Sequence, residues 1–265
     1  MSTKADAAKK AAEKEAQSWG AEPTGGPIPV TILTGFLGAG KTTLLNRILR
    51  ENHGEKIAVI ENEFGEEGVD NEILADTKEQ IVEMNNGCIC CTVRGDLVRT
   101  LGDLARRRRQ GEIAFERVLI ETTGLADPAP VAQTFFMNLD IAREYLLDAI
   151  LTMVDAVHAP RQLDAHREAR EQVAFADRLL ISKADLAPGG NVEALRARLA
   201  RLNPRAPQRC VHFGEVPLGE VLDVRGFSLD DVLEVHPKSD FYRALAAFAR
   251  DFFSVEAQAF DMLEG

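Results

Sequence analysis

The chain predicts an α/β protein, a doubly wound and mostly parallel sheet, and three observations carry that prediction. Apolar stretches suited to strands fall at 29–34, 56–61, 79–84, 116–121, 147–154, 178–182 and 209–213. Amphipathic stretches suited to helices lie near 41–51, 95–109, 129–137, 160–173 and 191–202, so strand and helix patterns alternate as crossover connections require. Polar motifs follow the first four strands, where open α/β sheets bind their ligands.

Residues 1–27 precede the first strand. They are rich in Ala, Lys and Glu and pass into Ala21-Glu22-Pro23-Thr24-Gly25-Gly26-Pro27, which reads as a flexible charged tail and linker. The tail lacks the apolar centre of a secretory signal, and its acidic residues argue against an organelle-targeting peptide. No apolar run approaches the ~20 residues needed to cross a bilayer. A cytoplasmic, reducing setting is therefore expected, with no membrane partner. Of the 265 residues, 45% are hydrophobic and 28% charged, which suits a globular protein. The net charge of −11 opposes a general nucleic-acid binder.

The first strand runs into Gly35-Phe36-Leu37-Gly38-Ala39-Gly40-Lys41-Thr42, a full match to G-x-x-x-x-G-K-[ST] in the strand–loop–helix context that the pattern requires. Glycines let successive backbone N–H groups approach phosphate oxygens. Lys41 is expected on the β/γ-phosphates and the Thr42 hydroxyl on Mg²⁺. Gly35, Gly38, Ala39, Gly40 and Thr43 complete this wall of the candidate nucleotide site, and the N-terminus of helix 41–51 favours the same anion.

The second strand ends in Glu61-Asn62-Glu63-Phe64-Gly65-Glu66, a polar loop with Gly65 and Gly68 to let it move. The third leads to Asn85-Asn86-Gly87-Cys88-Ile89-Cys90-Cys91, three of the four cysteines within four residues. A disulfide closing so short a loop removes little chain entropy. In a reducing compartment the cluster reads as a soft-metal or redox site, with thiolates that suit Zn²⁺. Helix 95–109 ends in four arginines, which favour a helix C-terminus.

The fourth strand ends in Glu121-Thr122-Thr123-Gly124-Leu125-Ala126-Asp127-Pro128. Glu121 is expected near Mg²⁺, and Gly124 would let a backbone N–H reach the γ-phosphate. Beyond the sixth strand, Ser182-Lys183-Ala184-Asp185 reads as base recognition. The Asp185 carboxylate can accept both N1–H and N2–H of guanine, and the stem of Lys183 would lie along the base. Cys210, inside the last apolar stretch, is expected in the core. Histidines lack ligand spacing.

Taken in order, residues 35–42, 61–66, 85–91, 121–128 and 182–185 resemble the CobW-like family of P-loop GTPases, which act in metal homeostasis and insertion. The resemblance spans roughly residues 28–235. It implies Mg²⁺-dependent hydrolysis of GTP coupled to binding and delivery of a transition metal, Zn²⁺ or Co²⁺, to a client apo-metalloprotein, with a homodimer possible. By matching position it implies Lys41, Thr42 and Glu121 in catalysis, and Lys183 and Asp185 on guanine. Cys88, Cys90 and Cys91 match the metal thiolates, with Glu61 and Glu66 as further ligands.

This chain departs from the family pattern at Ser182, where Asn is usual, and weaker nucleotide affinity is expected from the shorter side chain. It also has no His-rich run, and residues 216–265 read as a short or truncated C-terminal segment whose last part, 240–262, is an amphipathic helix. The division expected is thus tail 1–27, GTPase domain 28–215 and segment 216–265. The N-terminal tail lacks the Cys-Pro docking motif of the zinc-transferring eukaryotic branch. Two other readings stay open from the residues alone: a P-loop small-molecule kinase or ATPase, and a passive metal binder with a degraded nucleotide site. Asp185 opposes the first; intact Lys41, Thr42 and Glu121 oppose the second.

Overall fold

The computed structural model describes residues 26–51, 53–61, 80–83 and 93–226, of which 80–83 and 93–94 are described by backbone alone. The strands are β1 (Ile28–Gly35), β2 (Ile57–Glu61), β3 (Gln80–Glu83), β4 (Arg117–Glu121), β5 (Tyr145–Asp155), β6 (Arg178–Ser182) and β7 (Gln208–Val211). The helices are α1 (Lys41–Arg50), α2 (Val93–Arg109), α3 (Pro128–Met137), α4 (Leu139–Glu144), α5 (Ala159–Ala165), α6 (Arg167–Ala174) and α7 (Asn191–Leu202). The strands form one sheet in the order β3-β2-β4-β1-β5-β6-β7, and every pairing is parallel. All seven carboxyl ends therefore lie along one rim.

Parallel strands covered on both faces read as continuous apolar runs, and β1, β2 and β5 do. Alternation along β1 divides its side chains between two cores. Val30 and Ile32 join Leu97, Leu101 and Leu104 of α2 with Phe135 of α3. Leu33 joins Leu44, Leu45 and Ile48 of α1. The buried positions of α2 recur at the spacing of one helical face, and its last turn carries Arg106, Arg107, Arg108 and Arg109 as expected. A third cluster beneath α5, α6 and α7 gathers Leu163, Val173, Leu179, Ile181, Leu195 and Leu199.

Three local expectations change. The single helix expected over 160–173 is two, α5 and α6, because His166 between them is extended and its ring packs on Phe36 at 4.8 Å between centroids. An additional helix, α4, starts where the side-chain Oδ1 of Asn138 accepts from Asp140 N and Ile141 N. Cys210 is exposed rather than buried: β7 is the last strand of the sheet, so only Val211 of its four residues is fully covered. Residues 216–226 continue onto the domain. Val221 and Leu222 pack with α1 and β7, and Asp148 accepts from Val224 N and Arg225 N. Glu66, Cys88, Cys90, Cys91, the tail 1–25 and the helix expected at 240–262 lie outside the described residues.

Candidate functional site

The phosphate loop leaves β1 at Gly35 and enters α1 through Gly40, whose left-handed backbone (φ 93°) serves as the helix N-cap. A side chain there would be strained, which explains glycine at that position. The first turn of α1 itself contains no acidic residue, which leaves its N-terminal partial positive charge suited to an anion.

Lys41 is buried, and its Nζ donates to Gly35 O at 3.0 Å. Burial pushes its ammonium below the ordinary lysine range, and the nearby Glu121 carboxylate pulls the other way. Thr42 Oγ1 donates to Glu121 Oε1 at 3.0 Å, joining the start of α1 to the end of β4 across 79 residues. Thr122 is fixed beside them by bonds to Thr34 Oγ1 (2.9 Å) and Leu33 O (3.0 Å). Thr123 Oγ1 is buried with no hydrogen-bond partner among the described residues, an unusual state for a hydroxyl. A hydroxyl and a carboxylate in contact, hard oxygen donors at the foot of an anion cradle, are the chemistry Mg²⁺ accepts. The residues fit that ion.

Gly124 lies against the tip of the phosphate loop: a Cβ there would come 2.6 Å from Leu37 N. Any other residue would push the two loops apart. The loop after β4 is thus packed directly on the loop after β1.

The candidate base side is built from the ends of β5, β6 and β7. Ser182 Oγ donates to Ala39 O at 2.8 Å, so the shorter side chain that stands here in place of the usual Asn still bonds the phosphate loop. Lys183 adopts a left-handed backbone (φ 56°). Its ammonium bonds Gly38 O at 2.7 Å and Asp155 Oδ2 at 2.8 Å. Asp155, at the end of β5, also accepts from Val157 N, His158 N and His158 Nδ1. Burial would raise its carboxyl, but the bonds from Lys183 and His158 outweigh that and hold it below the usual carboxylate range. Asp185 is half exposed at the opening, with Oδ1 3.6 Å from His212 Nδ1 beyond β7.

Sequence reasoning missed Asp155 and Gln172. Asp155 ends an apolar strand as Glu121 does, so the same signal was available. Gln172 lies mid-helix and bonds Gly124 O and Ala126 O, a contact without a local signature.

Glu61 ends β2 and is buried. In the register of the sheet it stands between Glu83 of β3 and Glu121 of β4, so three adjacent strands end in glutamate at one height. Cys88, Cys90 and Cys91 fall in the connection from β3 to α2, outside the described residues. Among the described residues, no group of three or more His, Cys, Asp or Glu could hold a metal.

A family model for the CobW/HypB/UreG nucleotide-binding domain matches residues 29–209. The chain is 49% identical to the zinc chaperone YjiA of Escherichia coli (strain K12), over 81% of this chain and 67% of that protein. It is 31% identical to zinc-regulated GTPase metalloprotein activator 1 of Dictyostelium discoideum, over 83% and 57% of the two chains. The zinc chaperone CobW of Pseudomonas aeruginosa is 37% identical, over 74% and 59%. This chain therefore spans about three fifths to two thirds of the length of these relatives. Among solved structures, the Zn(II)-bound YjiA GTPase from E. coli superposes with a TM-score of 0.62 at 43% identity, over 77% of this chain and 64% of that one. The hydrogenase maturation factor HypB from Archaeoglobus fulgidus shares the fold, at a TM-score of 0.50 and 22% identity, over 77% and 89%. No helix among the described residues is long and apolar enough to cross a membrane. With the phosphate loop, the Thr42–Glu121 pair and the all-parallel sheet in place, the chain belongs to the CobW/HypB/UreG family, whose nucleotide-binding domain it carries.

Proposed function

We propose that the chain hydrolyses GTP and uses its nucleotide state to bind and deliver a transition metal, Zn²⁺ or Co²⁺, to a client apo-metalloprotein. The observation that carries this reading is a complete phosphate site whose rim also launches the connection containing Cys88, Cys90 and Cys91. That connection leaves β3, two strands from β4, at the same end of the parallel sheet. The names of the zinc-handling relatives support the same reading.

Amides of residues 38–43 and Lys41 bind the phosphates, and an anion there restores the charged lysine that burial disfavours. Thr42 and Glu121 would hold Mg²⁺, which supplies charge neutralisation at the β/γ-phosphate oxygens when bound. Lys183, anchored by Asp155, supports the base, and Asp185 accepts from the guanine edge. Glu61 and Glu66 bracket the loop after β2, and with the three thiolates they form the proposed cargo site. The γ-phosphate orders that loop, and hydrolysis removes the contacts and releases the metal. Thiols must lose their protons to bind, so metal affinity rises with pH.

Turnover of GTP and ATP is compared with and without Zn²⁺ or Co²⁺. Metal-stimulated GTP turnover is expected; ATP turnover indifferent to metal overturns the reading. Calorimetry on Cys90→Ala should find metal binding strongly weakened and GTP binding retained. Equal loss of both would reject the division of labour.

A further inference from the structure

The loop after β4 is held in two ways. Against the phosphate loop it has the close approach of Gly124 to Leu37. It is also held by Gln172 of α6, which donates from Nε2 to Gly124 O at 3.1 Å and to Ala126 O at 2.9 Å. Gln172 is only 1% exposed. Its own carbonyl accepts from Thr152 Oγ1 of β5 at 2.8 Å, so its backbone is tied to the sheet. Ala126 N closes the loop on Thr123 O at 3.1 Å.

A neutral carboxamide offers two N–H donors from one nitrogen, which is what two converging carbonyls require. Lysine or arginine would bring a buried charge, and an apolar residue would strand both carbonyls. Six residues earlier, the ring of His166 at the head of α6 packs at a tilt on Phe36 of the phosphate loop. Helix α6 therefore touches both loops that meet at the candidate γ-phosphate position.

We propose that Gln172 is a positioning residue for nucleotide hydrolysis. It holds the Gly124–Ala126 carbonyls so that the loop keeps one conformation against the phosphate loop, and it passes any displacement of that loop to α6. This rests on the hydrolase reading above.

Gln172→Met keeps the length and volume of the side chain and removes both donors. In the full 265-residue chain, kcat for GTP is expected to fall about 10- to 100-fold, the scale of misplaced catalytic geometry. GDP affinity should stay within about twofold, because GDP lacks the γ-phosphate that this loop faces. A lowered Tm with unchanged kcat makes Gln172 a structural strut and overturns the proposal. If the variant does not fold, the wild type decides. Amide exchange at 122–127 and 166–174 should change together between the GDP state and a non-hydrolysable GTP analogue. A change in the first segment without the second overturns it. Wild-type turnover of ATP alone would reject the GTPase reading while the same kcat measurement, made with ATP, still tests Gln172. A wild type that binds neither nucleotide rejects both.

Discussion

Arg117 and Lys41 are both buried cations, one opening β4 at the amino end of the sheet, the other opening α1 at the carboxyl rim, and their surroundings are opposite in kind. Arg117 is 2% exposed and meets the carboxylates of Asp148 at 3.0 Å and Glu55 at 2.9 Å. Asp148 is in turn filled by Thr31 Oγ1, Val224 N and Arg225 N. This cluster satisfies itself, and it pins residues 224–225 to the domain. Lys41 donates instead to the neutral carbonyl of Gly35, and burial disfavours its charge. One end of the sheet is closed electrostatically; the other gains from an arriving anion. A buried cation serves structure where carboxylates bond it directly and binding where its bond goes to a neutral carbonyl.

The largest effect should come from breaking the closed end. Arg117→Met leaves Asp148 buried without its partner and is expected to cost about 3–5 kcal/mol, read as a lower midpoint in urea. Nucleotide affinity of the folded fraction should barely move. Lys41→Ala should do the reverse. GTP turnover falls by about 100-fold or more, while stability stays level or rises because a desolvated charge is gone. If both variants unfold at the same reduced denaturant concentration, the contrast between the two ends fails.

A smaller change sharpens the picture within the rim itself. Ser182→Ala removes the bond to Ala39 O and should weaken nucleotide binding by about 1 kcal/mol, roughly fivefold by calorimetry. An unchanged affinity would mean that the tie to the phosphate loop does not matter for binding. The smallest effect is one of pH. Asp155 has its folded value depressed, so its contribution is full above the unfolded carboxylate value near ~4 and is lost as pH falls through the lower folded value. The Tm of Asp155→Asn should therefore fall less steeply than that of the wild type as the solution is acidified below about pH 4. Parallel curves would remove Asp155 from the account.

Much of the fold was legible because parallel strands buried on both faces announce themselves as apolar runs, and all seven expected strands are present within a few residues of their expected limits. The phosphate loop was legible because its function is local: eight consecutive residues make the cradle. Cys210 was misread because apolar neighbours do not tell whether a strand lies inside a sheet or at its edge. The break at His166 was invisible because the ring it packs on, Phe36, lies 130 positions away in the chain.

By itself, then, the order of residues determined where a phosphate can sit, since backbone amides and a following lysine need only near neighbours to form that cradle. Tertiary structure alone decided what supports it. Thr42 reaches Glu121, Ser182 reaches Ala39 and Gln172 reaches Gly124 only after parallel pairing brings distant strand ends to one rim. Hydrogen bonds act over about 3 Å, and the separation along the chain says nothing about which groups will come that close.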